Sequence, residues 1–327
     1  MTIPTNATIA SAGKGIREDL EDIIFNISPY ETPFQANIGK VKVTNQRHEW
    51  QTDTLSAAAT NNYNIEGGDI TPPTATYTTR VGNLTQIFAK AVTVSHTFDA
   101  VDKAGRKKEL AYQLTKRGRE MKRDMETSYL LNQASVASAS GTAPQLGGLP
   151  SWLVTNTTRA SDGVSGGYLA TTSLTVAATD TTSLNRTFTE TLLKSVMQSI
   201  FTNGGNPTIL MLGAFNKGAF SNATNFPGIA TLRTNVAQNA GMATIIGAAD
   251  VYAGDFGTLQ VVPNRFQRAQ DAWILDPEYL KVGTLRPIQQ YELARTGDAE
   301  KRMIVAETTL VVSNEAAHGI VADLKTQ

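Results

Sequence analysis

A long, alternating and nearly uncharged stretch constrains the fold of this chain more than any other feature. Residues 64–95, NIEGGDITPPTATYTTRVGNLTQIFAKAVTVS, contain seven threonines and the adjacent prolines Pro72 and Pro73. With the strand-like residues 41–55 they predict an extended, hairpin-like loop. An isolated two-stranded hairpin is only marginally stable in water, so this one needs a third layer of protein. The same chain or another chain could provide that layer.

The residues before the loop predict an arm with one short amphipathic helix. Residues 1–15 are small and polar without a period, and residues 17–27 begin with acidic side chains before Pro29 ends the pattern. The apolar residues at helical spacing are Leu20, Ile23, Ile24 and Ile27. A short helix is marginal alone, so this apolar face must be buried. Its own core and a neighbouring chain remain equal alternatives.

A long helix is predicted over residues 98–135, with Asp99 or Asp102 as its cap. Small and apolar residues recur there at three- and four-residue steps: Ala111, Leu114, Gly118, Met121 and Met125. Between Asp102 and Asp124 there are nine lysines and arginines against four acidic residues. This excess is typical of a solvated helix face, and it would also suit a polyanion or the acidic residues 18–22 of another copy.

The remaining pattern predicts an α+β protein. Residues 136–186 read as loops and short strands, residues 188–205 as a helix, and residues 207–215 as a buried strand. Leu192, Leu193, Val196 and Ile200 line one face of that helix. Short strands follow within residues 248–265, 272–285 and 302–324. The order of elements is not a regular βαβ series, and no internal repeat is present.

Sites for catalysis, metals or cofactors are poorly supported. The chain has no cysteine, and its three histidines, His48, His96 and His318, have no partner at ligand spacing. Residues 163–167 match G-x-S-x-G around Ser165, but no buried strand precedes them and no helix follows. No phosphate-binding glycine motif occurs. We therefore expect no enzyme, no cofactor and no metal.

Carboxylates and overall charge add two expectations. Glu307 lies within an apolar strand and needs a partner, for which Arg286 and Arg302 are the candidates, whereas Asp298 and Glu300 read as an exposed turn. Lysines plus arginines equal acidic residues at 29 each, so any contact with nucleic acid must be local. No signal peptide or membrane span is predicted.

Several stretches, in this order, resemble one known family. They are SPYETPFQANIGK (28–40), EGGDITPPTATYTTRVGNLTQIFAKAVTVSHTFDA (66–100), GGNPTILMLGAFNKGAF (204–220), VYAGDFGTLQVVPNRF and AWILDPEYL (251–280), and LARTGDAEKRMIVAETTLVVSNEAAHGIV (293–321). The chain resembles the major capsid proteins of tailed double-stranded DNA bacteriophages, which have the Hong Kong 97-type fold. The resemblance covers nearly the whole chain and rests on the ordered set rather than on one motif.

The resemblance implies a division of the chain. An N-terminal arm (1–41) and an extended loop (42–95) would reach over neighbouring subunits. A peripheral domain (96–206 and 289–327) would contain the spine helix (98–135), and an axial domain (207–288) would meet its copies at the centre of each ring. The candidate intersubunit residues are Leu20, Ile23, Ile24 and Ile27 in the arm and Tyr63, Ile65 and Tyr77 in the loop.

The resemblance also implies partners and a location. Pentamers and hexamers of the chain would form an icosahedral virion shell, assembled in the host bacterial cytoplasm, around double-stranded DNA bound without sequence preference. Portal, scaffolding and decoration proteins are further partners that the family admits. The candidate DNA-facing or intersubunit basic set is Arg106, Lys107, Lys108, Lys116, Arg117, Arg119, Lys122 and Arg123.

The sequence departs from some members of this family in one respect, and two other functions are alternatives. Some family members link subunits through a loop lysine and an asparagine, but no lysine lies between Thr44 and Ala89, so we expect no such cross-link. The first hypothesis is a capsid shell protein, the alternative is a tail-tube or fibre subunit, and the third is a hydrolase using Ser165. The long basic helix followed by a second helix argues against a fibre.

Overall fold

A computed structural model describes residues 28–29, 31–69, 74, 77–181, 186–222, 224–227, 250–295 and 297–327. The helices are α1 (Pro33–Asn37), α2 (His96–Ala100), α3 (Glu109–Leu130), α4 (Glu190–Thr202) and α5 (Ala214–Phe220). The first strands are β1 (Gly39–Lys42), β2 (Arg47–Thr52), β3 (Thr79–Leu84), β4 (Gln86–Ser95), β5 (Thr157–Thr158), β6 (Gly167–Leu169) and β7 (Leu174–Val176). The later strands are β8 (Ile209–Leu212), β9 (Val251–Gly254), β10 (Gly257–Pro263), β11 (Ala272–Leu275), β12 (Leu280–Glu292), β13 (Ala299–Val312) and β14 (Gly319–Val321).

A four-stranded sheet in the order β1-β12-β13-β4 forms one half of the molecule. β12 and β13 form a long antiparallel pair, β4 continues it on one side, and β1 adds in parallel on the other. The spine helix α3 packs here through Met121, Met125 and Tyr129, which share a core with Phe88 and Ile304. The Tyr129 hydroxyl lies 2.7 Å from the Thr308 hydroxyl, so the helix is fixed to β13 by a polar contact as well.

A six-stranded sheet in the order β5-β14-β11-β8-β10-β9 forms the other half. All four residues of β8 are buried, as the apolar run at 207–215 predicts. Helix α4 buries Leu193, Val196 and Ile200 in the core of this sheet, which confirms the predicted apolar face. The predicted α+β class is therefore confirmed.

The predicted helix over 98–135 is wrong at both ends. The helix α2 stops at Ala100, and the chain passes through an irregular segment in which Gly105 has a φ of +75° before α3 begins at Glu109. Asp99 does cap α3, because its Oδ1 accepts the Glu109 backbone N–H at 2.9 Å. That hydrogen bond holds the pKa of Asp99 below its usual value. Ala111 is exposed, so only the second half of the predicted face is core.

Parts of the predicted arm and loop pack within their own subunit. Within the predicted arm (1–41), Phe34 and Ile38 belong to the core of their own subunit, and β1 pairs with β12. Within the predicted loop (42–95), β4 is a strand of the four-stranded sheet. In both segments a strand pairs with the four-stranded sheet of its own chain: β1 pairs with β12, and β4 pairs with β13.

The structure also divides the chain differently from the predicted domains. The boundary predicted between 288 and 289 falls inside β12, at a register shift between Arg286 and Gln289 in its pairing with β13. β14, assigned to the peripheral domain, pairs with β11 at the centre of the six-stranded sheet. Helix α4 packs on that same sheet. The pattern of apolar residues marks β14 as a buried strand but carries no information on which sheet accepts it.

Candidate intersubunit surfaces

Stacked aromatic rings fix the hairpin β2–β3 to the body of the subunit. The ring of Trp50, in β2, lies 5.4 Å from that of Trp152, measured between centroids. Trp152 in turn stacks on Tyr168 at 5.6 Å with an interplanar angle of 7°. The stack joins the base of the hairpin to the core that contains the spine helix. The base therefore has a defined position on its own subunit.

Asn83 adds a buried polar anchor at the root of β3. Its Nδ2 donates to the carbonyl oxygens of Leu310 (2.8 Å) and Gly147 (3.1 Å), and its Oδ1 accepts the Gly147 N–H at 2.8 Å. The side chain is 1% exposed, so these bonds do not compete with water. One amide thus ties β3 to β13 and to the loop at Gly147.

Glu307 forms a second anchor beside the first. Its two oxygens accept from the Thr85 hydroxyl and from Arg286 Nε, each at 2.7 Å. The prediction that Arg286 or Arg302 pairs with this carboxylate is confirmed for Arg286, and Arg302 pairs with Glu300 at 2.6 Å. Together the two anchors hold the segment between β3 and β4 against β13.

Beyond this base, the described part of the subunit does not bury the loop. We call residues 53–78 the loop tip, and every described residue in it is exposed. Its large apolar side chains are almost fully accessible: Leu55 98%, Tyr63 86%, Ile65 83% and Tyr77 92%. The three predicted contact residues therefore share one exposed loop. Leu55 was not among them, although a lone leucine in the run TDTLSAAAT carries the same signal.

The basic set contains paired and exposed members, and Lys108 is both, because its Nζ lies 3.4 Å from Asp99 Oδ2. Arg106 pairs with Glu109, Arg117 pairs with Glu120 at 2.6 Å, and Arg123 lies over the Phe266 ring. The members with exposed side chains are Lys107, Lys108, Lys116, Arg119 and Lys122. Salt bridges thus neutralise part of the predicted excess, and a smaller positive surface remains along α3.

A buried carboxylate on the spine helix holds helix α1. Glu126 accepts the backbone N–H groups of Phe34 (2.7 Å) and Gln35 (3.0 Å), and Asn264 Nδ2 donates to it at 2.9 Å. Burial raises the pKa of Glu126, and these donors oppose that effect. The chain from Phe34 onwards is thereby attached to its own subunit. The predicted arm contacts Leu20, Ile23, Ile24 and Ile27 lie outside the described residues.

Groups with catalytic potential do not converge. The Ser165 hydroxyl lies 2.7 Å from the Thr157 hydroxyl rather than beside a histidine. His318 is buried, its Nδ1 accepts the Asp276 N–H at 3.2 Å, and burial lowers its pKa to about 3. Among the described residues, no cluster of histidines and carboxylates is placed to hold a metal ion, and no helix could cross a membrane.

Comparison with known sequences identifies one matching family. Over residues 3–325 the chain matches the family model described as SU10 major capsid protein. It is also 40% identical over 108 residues to the major capsid protein of Escherichia phage Phieco32, a match that covers 33% of this chain. The matched segment spans 31% of that protein, about a third of its length.

Solved structures share the fold at low sequence identity. The structure of phage G gp27 major capsid proteins and gp26 decoration proteins gives a TM-score of 0.56 at 10% identity over 100% of both chains. The capsid of a native GTA particle gives 0.63 at 10% identity, covering 98% of this chain and 100% of that one. The holo-SrpI encapsulin complex of Synechococcus elongatus gives 0.56 at 8% identity, covering 98% and 97%. The predicted Hong Kong 97-type fold is confirmed.

Proposed function

The chain belongs to the SU10 major capsid protein family, and from that premise we propose that its copies assemble into the pentamers and hexamers of an icosahedral phage shell. We also propose that the loop tip lies on a neighbouring subunit in each ring. The family is one of structural proteins, so no catalytic role is proposed for Ser165. Assembly would take place in the cytoplasm of the host bacterium.

The exposure of the loop tip is the observation that supports this function. Four large apolar side chains, 83% or more exposed, lie in one loop whose base is anchored. Burying each of them is worth roughly 1.5–3 kcal/mol, or about 6–12 kcal/mol for the four before ordering costs. Exposed apolar patches of this kind mark interaction surfaces. Tyrosine, present twice, is also enriched among the residues that dominate interfaces.

The division into a rigid base and an uncovered tip suits repeated head-to-tail contact. Such contacts close into rings when the rotation between subunits allows it, and one chain must form rings of both five and six. A tip whose described residues are all exposed can adjust its direction while the anchored base and the two sheets keep their shape. Many modest contacts per subunit then stabilise the shell together.

Each half of the molecule takes one place in the shell under this proposal. The six-stranded sheet, with β14 and α4, would form the axial domain at the ring centre. The four-stranded sheet and α3 would form the peripheral domain. The exposed members of the basic set would face packaged DNA, because phosphate contacts need only positive charge and no base readout. Portal, scaffolding and decoration proteins would bind other parts of the surface.

Electron microscopy of loop variants tests the proposal. We expect the unmodified chain to form closed shells under conditions in which Leu55→Ser/Tyr63→Ser/Tyr77→Ser remains dispersed with unchanged circular dichroism. The matched control is Tyr63→Phe/Tyr77→Phe, which keeps the apolar area and should assemble. Normal shells from the triple serine variant would disprove the role of the loop tip, and tubes from the unmodified chain would favour a tail-tube subunit.

A further inference from the structure

A groove of about 400 Å³ runs along one side of the spine helix. Its helical wall is a continuous stripe of residues one or two turns apart: Ala111, Tyr112, Thr115, Lys116, Arg119 and Arg123. At 1.5 Å per residue, the stripe from Ala111 to Arg123 is about 18 Å long. The groove therefore has the length of a short helix.

The groove combines an apolar floor with positive charge. Ala111, Tyr112 and the carbon chains of its long basic residues provide apolar surface. Among the described residues that line it, the cations are Lys116, Arg119 and Arg123, and the carboxylate is that of Glu120, which pairs with Arg117 at 2.6 Å. An amphipathic helix with an acidic face would complement both properties.

The chain itself leads into this groove. Ser28 and Pro29 line its end, and Arg123 Nη1 lies 3.5 Å from the Pro29 carbonyl oxygen. The sequence immediately before Ser28 is REDLEDIIFNI, residues 17–27, with four carboxylates and one arginine. Its apolar residues occupy positions i, i+3, i+4 and i+7 (Leu20, Ile23, Ile24 and Ile27). As a helix it would be about 17 Å long, which matches the groove.

We propose that residues 17–27 bind as a helix in the spine-helix groove of their own subunit. The apolar face would contact Ala111, Tyr112 and Thr115, and the acidic residues would lie near Lys116 and Arg119. Because Ser28 is at the rim, the segment is tethered beside its site, and its high effective concentration favours it over the same segment of a second copy. Lys116 and Arg119 would then face the segment rather than DNA.

Hydrogen exchange on the full-length chain tests this proposal. We expect the amides of residues 17–27 to be protected to the same degree at protein concentrations below and above the onset of assembly, followed by light scattering. Lys116→Glu/Arg119→Glu should speed their exchange at least tenfold. Adding Glu18→Lys/Asp22→Lys to that variant should restore protection, because the segment would then carry the positive charges and the groove the negative ones.

The control variant and two contrary outcomes complete the design. Lys107→Glu/Lys122→Glu makes the same change in net charge at exposed positions outside the groove and should leave protection of residues 17–27 unchanged. Unchanged protection in Lys116→Glu/Arg119→Glu would overturn the proposal. So would protection that appears only when shells form, because the occupant of the groove would then be the segment of a second copy.

Discussion

Replacing Asn83 with alanine removes the amide that ties β3 to the body of the subunit. The bonds that join β3 to distant segments are lost together: the two donated to Gly147 and Leu310, and the one accepted from the Gly147 N–H. The Gly147 N–H is left buried without this partner, which costs about 1–3 kcal/mol, and each lost donor contributes about 0.5–1.5 kcal/mol. The expected loss in free energy of unfolding is therefore about 2–6 kcal/mol.

Urea unfolding of the unassembled chain, followed by tryptophan fluorescence, measures this loss in free energy of unfolding with a signal from the loop base. The rings of Trp50 and Trp152 are in tilted contact at the loop base, so their emission reports on the structure that Asn83 holds. Arg80→Ala is the matched control in the same strand. Arg80 pairs with Glu49 at 3.1 Å, but its side chain is 71% exposed, so the control should lose less than about 0.5 kcal/mol.

The isosteric variant Asn83→Asp separates hydrogen bonding from shape. A carboxylate there would face the carbonyl oxygens of Gly147 and Leu310 without a donor of its own. We expect it to be less stable than Asn83→Ala at pH 8 and to recover at pH 4, where the protonated carboxyl can donate. If Asn83→Ala unfolds within about 0.5 kcal/mol of the unmodified chain, the anchoring argument is refuted.

Three further outcomes follow from the sequence and structure. Burial raises the pKa of Asp271 to about 7, so the folded state holds its proton more tightly than the unfolded chain does. The stability that this group contributes is fully present below about pH 4 and is lost as the pH rises through 7. Between pH 5 and 8, thermal unfolding should therefore show the free energy of unfolding of the unmodified chain falling by about 3 kcal/mol relative to that of Asp271→Asn. Equal pH profiles for the two proteins would contradict this. Gly118→Ala should raise the free energy of unfolding by about 0.5–1 kcal/mol, since nothing lies within 4 Å of the added Cβ. Gly148→Ala should be strongly destabilising, because its Cβ would lie 1.9 Å from the Leu131 carbonyl oxygen. Similar melting temperatures for the two variants would contradict both expectations. Assembled shells should run as a single monomer band on a denaturing gel, because no lysine lies between Thr44 and Ala89, and a ladder of covalent oligomers would refute this.

The features that sequence predicts best here are those set by local chemistry. Residues 79–84 and 86–95 of the alternating stretch do form strands, and the carboxylate of Glu307 has the arginine partner that its apolar setting requires. Tyr63, Ile65 and Tyr77 are each 83% or more exposed. Each of these properties depends on a residue and its near neighbours, so one sequence is sufficient to see it.

The features that sequence misses depend on partners far along the chain. The helical pattern is interrupted after Ala100 by a segment in which Gly105 has a positive φ, and nothing in VDKAGRKK requires that interruption. The apolar pattern of β4 and β14 does not say which sheet each one joins, and β4 pairs with β13 whereas β14 pairs with β11. Asn83 is one asparagine among many, and its role depends on Gly147 and on Leu310, which is 227 residues away.

A cryo-electron microscopy reconstruction of assembled particles tests the central claim most directly. The account predicts that residues 53–78 lie across an adjacent subunit, with Leu55, Tyr63, Ile65 and Tyr77 buried between copies. A reconstruction in which the same residues fold back onto their own subunit, or remain in solvent with no contact between copies, would contradict it.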